Sequence, residues 1–469
     1  MAKYEQLAEQ LATQIKQGVW QPGEKLPSLR KQSDMTGFSL MTVLHAYQLL
    51  ESQGMLCARE RSGYRVADAI ETTGNTGVMQ SAEAVSVNDF VFDVLQASRD
   101  PHMFSLGFAY PDPSLYPRQH LTKSLSAAAR QTTVTSALDN LPPGNQALRQ
   151  LIAQRYAARG VNISPEEIVI TAGALEALSL SLQVVTKPGD WVLIESPAFY
   201  GAMQALERLG LRAITVEISP DRGLNLAAVE RALQSKPVKA CWLMSAFQNP
   251  VGVSLSTEDK QALAELFEKY RVALVEDDVY AELYAGNQPL LPVKHYCQHG
   301  NSLLCSSFSK SLVAGFRIGW VAAGQHAKAI QKQQLLSTIS TSVPVQLALV
   351  DYLETKNYEK HLHQLRRTLA CRKRDMFEYL KTHWSSFATV HHMPGGYFLW
   401  VEFAPQVDTL AIYHLALKLR ITLAPGKLFS LNGEYSHCLR VNASFELTPA
   451  RRQLLEKLTT QIQLYLAQF

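Results

Sequence analysis

The sequence predicts an α/β chain in two unequal parts: a small winged helix-turn-helix in front and a large, mostly parallel sheet domain behind it. Three observations carry this. Residues 1–68 read as three short amphipathic helices followed by two short strands. Residues 69–89 are small and polar, with little periodicity. From residue 90 onward, short apolar runs alternate with amphipathic helical stretches.

In the front part, Leu7, Leu11 and Ile15 share one face of a first helix that ends near Gly18. Pro22-Gly23 makes a turn, and Ser28 is a natural N-cap for a second helix, which Gly37 breaks. Ser39 caps a third helix whose inner stripe is Val43, Tyr47 and Leu50 and which stops at Gly54. Two strands follow at 55–59 and 64–66, with Arg61-Ser62-Gly63 as the tip between them. Residues 69–89, with Glu71-Thr72-Thr73-Gly74-Asn75 among them, read as a linker. In the rear part, Glu167-Ile168-Val169-Ile170-Thr171, Trp191-Val192-Leu193-Ile194-Glu195, Ala240-Cys241-Trp242-Leu243-Met244 and Val272-Ala273-Leu274-Val275-Glu276 are apolar enough for strands buried on both faces. After about residue 336 the pattern turns to long helices and then to antiparallel-looking strands near 397–403 and 437–442. The rear part therefore divides into a large portion, about 115–335, and a small one, about 336–469.

Length and composition narrow the function classes. A chain of 469 residues suggests about two to four domains. With 47% hydrophobic and 18% charged residues it is globular, and a net charge of +4 does not by itself argue for nucleic acid. Residues 1–66 hold eight Lys/Arg against six acidic residues, so DNA binding there depends on where the charges sit. The six cysteines are scattered, with no Cys-x-x-Cys, and read as reduced thiols and neither disulfides nor a metal site. The polar start Met1-Ala2-Lys3-Tyr4 is no signal peptide, and no run reaches the ~18 apolar residues of a membrane helix. The expectation is a cytoplasmic protein with no membrane segment and no metal.

The chemistry lies in an ordered series of groups. Thr171-Ala172-Gly173-Ala174-Leu175 runs from a strand into a helix, a turn that can offer backbone N–H groups to a phosphate. Phe199, with Tyr200 second, follows the next strand and can stack on a planar ring. Asn249-Pro250 ends another strand and can donate to a phenolate oxygen. Glu276-Asp277-Asp278-Val279-Tyr280 closes a strand with carboxylates before an aromatic hydroxyl. Ser307-Phe308-Ser309-Lys310 then supplies an amine and two hydroxyls, with Arg317 seven positions on. A pyridoxal phosphate (PLP) site needs this set: a lysine for the imine, hydroxyls and a guanidinium for the phosphate, and a carboxylate for the ring nitrogen. Singly each group is ordinary; the ordered conjunction is specific.

On these motifs, residues from about 100 to 469 resemble the class I and II aminotransferases, fold type I of the PLP enzymes. The resemblance implies Lys310 as the Schiff-base lysine, Asp277 at the pyridine nitrogen, and Asn249 and Tyr280 at the phenolate oxygen. It places Gly173, Ala174, Leu175, Ser307, Ser309 and Arg317 around the phosphate and Phe199 on the ring. Lys310, Asp277 and Tyr280 are the expected catalytic groups. In Cys438-Leu439-Arg440-Val441-Asn442, Arg440 matches the arginine that grips a substrate α-carboxylate. One departure stands out. Before Pro142-Pro143-Gly144-Asn145, many relatives carry a Tyr that reaches the partner subunit's phosphate; here the stretch is Leu138-Asp139-Asn140-Leu141. Cofactor binding is still expected, while full catalytic strength is put in question.

The front part resembles the GntR-type winged helix through Leu26-Pro27-Ser28-Leu29-Arg30, Thr42-Val43 and Gly63-Tyr64. That likeness implies a third helix in the major groove, with Ser39, Thr42 and His45 as its polar contacts. Arg30 would hold phosphate, and the wing near Gly63 would approach the minor groove. Leu40 and Leu44 stand where the family often has Arg. Winged helix, linker and aminotransferase-like domain together resemble the MocR subfamily of bacterial regulators, which implies a homodimer. The expected function is a transcriptional regulator that binds a DNA operator and senses a small amino-group-bearing effector through a PLP aldimine on Lys310. The alternatives are an active aminotransferase with a vestigial DNA-binding domain, and a protein that only stores or senses PLP.

Overall fold

The fold is that of a computed structural model, which describes residues 2–59, 63–67, 87–97, 99–100, 102–133, 138, 140–286 and 288–468. The chain separates into two compact units, Met1–Ala84 and Val85–Phe469. The expected linker falls on residues outside the described ones, except for its last three, 87–89, which open a helix. Arg61 and Ser62 of the expected wing tip also lie outside them.

The first unit holds α1 (Lys3–Lys16), α2 (Leu29–Thr36), α3 (Leu40–Ser52) and the antiparallel pair β1 (Leu56–Arg59) and β2 (Gly63–Val66). Leu7, Leu11 and Ile15 of α1 bury against Val43, Tyr47 and Leu50 of α3, and Leu26, Leu56 and Val66 close the core. Each such burial is worth about 1.5–3 kcal/mol. Ser28 caps α2 by accepting from Lys31 N at 3.3 Å, and Ser39 caps α3 by accepting from Thr42 N at 3.2 Å. Tyr47 Oη donates to Pro27 O at 3.0 Å and fixes the turn before α2.

The second unit begins with α4 (Val87–Ala97) and the short β3 (Phe104–Ser105). Its centre is an eight-stranded sheet of β4 (Ile168–Thr171), β5 (Trp191–Ser196), β6 (Arg212–Ser219), β7 (Gly223–Leu224), β8 (Val238–Leu243), β9 (Ala273–Asp277), β10 (Ser302–Ser307) and β11 (Gly319–Ala322). The spatial order is β4-β11-β10-β9-β8-β5-β6-β7. β10, β9, β8, β5 and β6 pair in parallel, and β11 and β7 run antiparallel to their neighbours. Alternation along each strand feeds both faces. Val192 and Ile194 join one core and Leu193 the other; Ala240 and Trp242 face one side, Cys241 and Leu243 the other. Such a sheet needs helices on both faces, and α5 (Ala174–Val185) supplies Ala177 and Leu178 to the first.

The C-terminal portion packs around an antiparallel sheet. There β13 (Phe398–Phe403) lies between β12 (Ala388–His391) and β16 (Cys438–Asn442), and β15 (Ala424–Pro425) joins β16. β14 (Ile421–Thr422) pairs in parallel with β3, so the segment just after α4 belongs with this portion. One helix of 27 residues, α7 (Tyr358–Trp384), serves both cores. Tyr358, Leu362, Leu365 and Leu369 pack under the large sheet, while Met376, Tyr379, Leu380 and Trp384 pack with the small one. A further short helix, α6 (Tyr200–Arg208), follows β5.

Candidate functional site

A parallel sheet gathers the carboxyl ends of its strands along one edge, where loops can converge on a ligand. β8, β9 and β10 are neighbours, so the loop carrying Asn249, the end of β9 with Asp277 and Tyr280, and the turn after β10 with Ser307, Ser309 and Lys310 emerge side by side. All six line one cavity of about 550 Å³. Ala174, Leu175, Phe199 and Arg317 line it too.

Lys310 is 9% exposed, and its Nζ donates to Ala109 O at 2.6 Å and lies 3.8 Å from the centre of the Tyr110 ring. Burial pulls this ammonium down to about 7, with Arg440 and Arg317 lowering it further and Asp277 opposing them. Asp277 moves the other way: burial pushes its carboxyl up to about 7, against a hydrogen bond from Val279 N and the charge of Lys310. The site thus holds an amine that loses its proton near neutrality beside an acid that takes one up there. Such opposed shifts are characteristic of reactive centres. Burial also raises the Tyr280 hydroxyl, which stays protonated as a donor.

Gly173, Ala174 and Arg317 form a close-set corner at the N-terminus of α5. Gly173 has φ 100°, and a Cβ there would sit 2.5 Å from Arg317 Nη2. Gly319 on β11 is equally constrained, since a Cβ would meet Gly173 C at 2.5 Å and Ala174 N at 2.6 Å. Arg317 itself adopts φ 51°, a left-handed conformation that costs about 1–3 kcal/mol in a non-glycine residue. Its guanidinium donates to Ala172 O and to Tyr110 Oη, each at 3.3 Å. The buried Ser309 Oγ has no hydrogen-bond partner among the described residues, whereas Ser309 O accepts from Tyr116 Oη at 2.8 Å.

Arg440 is not part of the cavity wall. It is 1% exposed and donates from Nη1 to Asn249 Oδ1 and from Nη2 to Gly107 O, both at 2.6 Å, and its Nε has no partner among the described residues. It lies between the rings of Phe398 and Phe429. Burial lowers it below the usual arginine range. The segment 107–110 covers this guanidinium, and Asn442 Nδ2 holds the carbonyls of Phe108 and Tyr110 at 2.8 and 2.7 Å. Sequence reasoning missed Phe108 and Tyr110. They stand beside Gly107 and Pro111-Asp112-Pro113, turn-forming residues that carry no chemical signal of their own. It also missed Phe92 of α4, which lines the cavity from a stretch expected to follow a linker.

Behind Lys310 a buried network braces the next residue. Ser311 Oγ meets Tyr358 Oη at 2.8 Å, and Tyr358 Oη donates to Glu282 Oε2 at 2.8 Å. Arg155 pairs with Glu282 and lies 4.2 Å from the Tyr358 ring. His361 Nε2 bonds Ser311 O at 2.8 Å.

In the first unit, the expected DNA-facing residues form an exposed group. Arg30 on α2, Ser39 and His45 are exposed and Thr42 is half-buried, with Ser39 Oγ and Thr42 Oγ1 2.9 Å apart. His45 packs edge-on against Tyr4 at 5.9 Å. Gly63 is exposed with φ 84°, as the start of β2 requires. Among the described residues no cluster of His, Cys, Asp or Glu could hold a metal, and no helix is long and apolar enough to cross a membrane.

Comparison with known proteins agrees with both halves. Residues 3–66 match the bacterial regulatory proteins of the gntR family, and residues 113–457 match aminotransferase class I and II. The chain is 52% identical over 465 residues, 99% of both chains, to the uncharacterized HTH-type transcriptional regulator YdcR of Escherichia coli K12. It is 33% identical over 98% of each chain to YjiR of the same strain, also described as an uncharacterized HTH-type transcriptional regulator. Among solved structures it resembles the kynurenine aminotransferase of Pyrococcus horikoshii, at 26% identity and a TM-score of 0.74, over 84% of this chain and 99% of that one.

Proposed function

Since this chain belongs to the GntR-type HTH regulators that carry a class I and II aminotransferase domain, we propose that it is a PLP-dependent transcriptional regulator, working as a cytoplasmic homodimer. Its winged helix binds a DNA operator, and its second unit senses a small compound bearing an amino group. The observation that carries the sensing half is the convergence of Lys310, Asp277, Tyr280, Asn249, Ser307 and Ser309 on one cavity.

The donors present suit PLP. The corner of Gly173, Ala174, Leu175 and Arg317 offers a cation and backbone N–H groups at a helix N-terminus, and the Ser309 hydroxyl has no hydrogen-bond partner among the described residues. With Ser307 these would hold the phosphate. Phe199 would cover a ring face, Asn249 and Tyr280 would meet the phenolate oxygen, and Asp277 would pair with the ring nitrogen. When bound, PLP supplies an electrophilic carbonyl carbon and an electron-accepting ring. Lys310, which loses its proton near neutrality, would provide the nucleophilic amine, and Asp277 in its ionised form would pair with a protonated ring nitrogen. Arg440 would take the ligand's carboxylate, exchanging its contact with Gly107 O for it.

Coupling between ligand and operator of about 1–3 kcal/mol would change DNA affinity roughly 5- to 150-fold. The test is selection of genomic fragments by the purified protein with and without PLP, near physiological salt. A reproducible motif lost in Arg30→Ala and Thr42→Ala supports the regulator. The intact Lys310–Asp277–Tyr280 arrangement favours a second reading, a working aminotransferase. Multiple-turnover transamination with no DNA enrichment would establish that reading in place of the first.

A further inference from the structure

The cavity has a wall that the cofactor chemistry proposed above leaves unused. α4 is anchored to the C-terminal core by Phe90, which is buried and edge-on to Tyr413 at 5.4 Å, and by Val94. Four residues apart, these two occupy one face of the helix. Phe92 stands about 200° around the axis from Phe90 and is 59% exposed. It lines the cavity beside the buried Val91. α4 packs on α6, whose Tyr200 lines the same cavity, and Phe108 adds another ring. A phenylalanine turned out of a core that Phe90 and Val94 already anchor is free to contact a ligand.

Charge narrows what that ligand can be. Among the described residues that line the cavity, the charged ones are Asp277, Lys310 and Arg317, and the proposed site engages all three. A second carboxylate or ammonium on the ligand would displace water from the Phe92 and Val91 surface and find no opposite charge left among the described residues that line the cavity. An apolar side chain loses nothing and gains the burial of its surface.

We infer that the sensed compound is an amino acid with an apolar side chain, and that Phe92, with Val91, is the specificity-determining surface that receives it. This rests on the reading of the cavity as a PLP site. It also assigns ligand recognition to the first described helix after the segment joining the two units.

The test uses the full-length protein loaded with PLP, with uptake checked first from the cofactor's own absorbance. L-leucine, L-alanine, L-glutamate and L-lysine are then titrated, and their dissociation constants are read from the absorbance change. L-leucine is expected to bind at least about tenfold more tightly than the other three. Phe92→Ala should weaken L-leucine roughly tenfold, leaving L-alanine and PLP affinity unchanged, and Phe92→Leu should restore most of the loss. Normal cofactor uptake with L-glutamate or L-lysine matching L-leucine overturns the inference alone. So does a leucine-to-alanine ratio unmoved by Phe92→Ala, including the case in which that variant changes only the oligomeric state on gel filtration. A protein that takes up no PLP overturns the cofactor reading and this inference with it.

Discussion

Exchanging Glu282 for Gln tests whether the network behind Lys310 holds the large sheet's loops in place. Burial alone would push the Glu282 carboxyl up. The charge of Arg155 and hydrogen bonds from Ser311, Arg155 and Tyr358 instead hold it down at about 2. The Arg155 and Glu282 side chains keep 21% and 18% of their surface, so solvent screens the pair only in part. A carboxyl moved from 4.5 to about 2 contributes roughly 3 kcal/mol when ionised, at about 1.4 kcal/mol for each pH unit. Because the folded value is depressed, that stability is fully present above about pH 4.5 and is lost as the pH falls through about 2. Glu282→Gln keeps the shape but leaves Arg155, among the described residues, with the exposed Glu359 alone as an ion partner. The variant should unfold about 3 kcal/mol more easily than the parent at pH 7, a gap that closes as both approach pH 2. Urea unfolding followed by tryptophan fluorescence measures it, since Trp320 lies in the same core and bonds Tyr156 Oη at 3.2 Å. A gap under about 1 kcal/mol at pH 7, or one that persists at acid pH, would refute the reasoning.

Two further predictions concern the cavity. Gly319→Ala drives a methyl group into Gly173 C, Ala174 N and Ser306 O at 2.5–2.7 Å, all of them backbone atoms. It should cost about 1–3 kcal/mol and raise the dissociation constant for inorganic phosphate or PLP, both readable by calorimetry. Lys310→Ala should abolish covalent retention of PLP after borohydride treatment. In the parent, the rate of covalent capture should rise as the pH passes through about 7, where the amine loses its proton, and then level off. A stopped-flow pH series that is flat between pH 6 and about 8 would contradict the lowered amine.

Much of this was legible in the residues, for physical reasons. Strands buried on both faces must be apolar throughout, so β4, β5, β8 and β9 stood out as runs such as Val192-Leu193-Ile194. β10 did not. Ser302, Ser306 and Ser307 interrupt it, although the strand is buried along its length: Ser307 lines the cavity and Ser306 Oγ donates to Asp278 O at 3.2 Å. The six-residue chemistry could be read in order because each group lies at or within six residues of the carboxyl end of β8, β9 or β10. What could not be read was which neighbours fold back over it. Arg440 is recognisable as an arginine in a strand, but its burial depends on Gly107 and Asn249, 333 and 191 positions away in the chain. Phe92 escaped notice for the same reason: its helix follows a polar stretch, and contacts distant in sequence, Phe90 on Tyr413 and β3 on β14, bring that region beside the C-terminal portion.

The helix α7 has a consequence for anyone dividing this protein. Its 27 residues make a rod of about 40 Å with no loop along its length. One end is clamped beside Ser311 by Tyr358 and His361, and the other is sunk into the antiparallel layer by Met376 and Trp384. A tilt of roughly 5° at the clamped end would carry the far end about 3.5 Å sideways, given the 1.5 Å rise per residue. A chimera joined at an apparent boundary near residue 336 would therefore mate a lever from one parent with a bearing from the other. Exchanges between relatives should carry the rod whole, together with both of its seats.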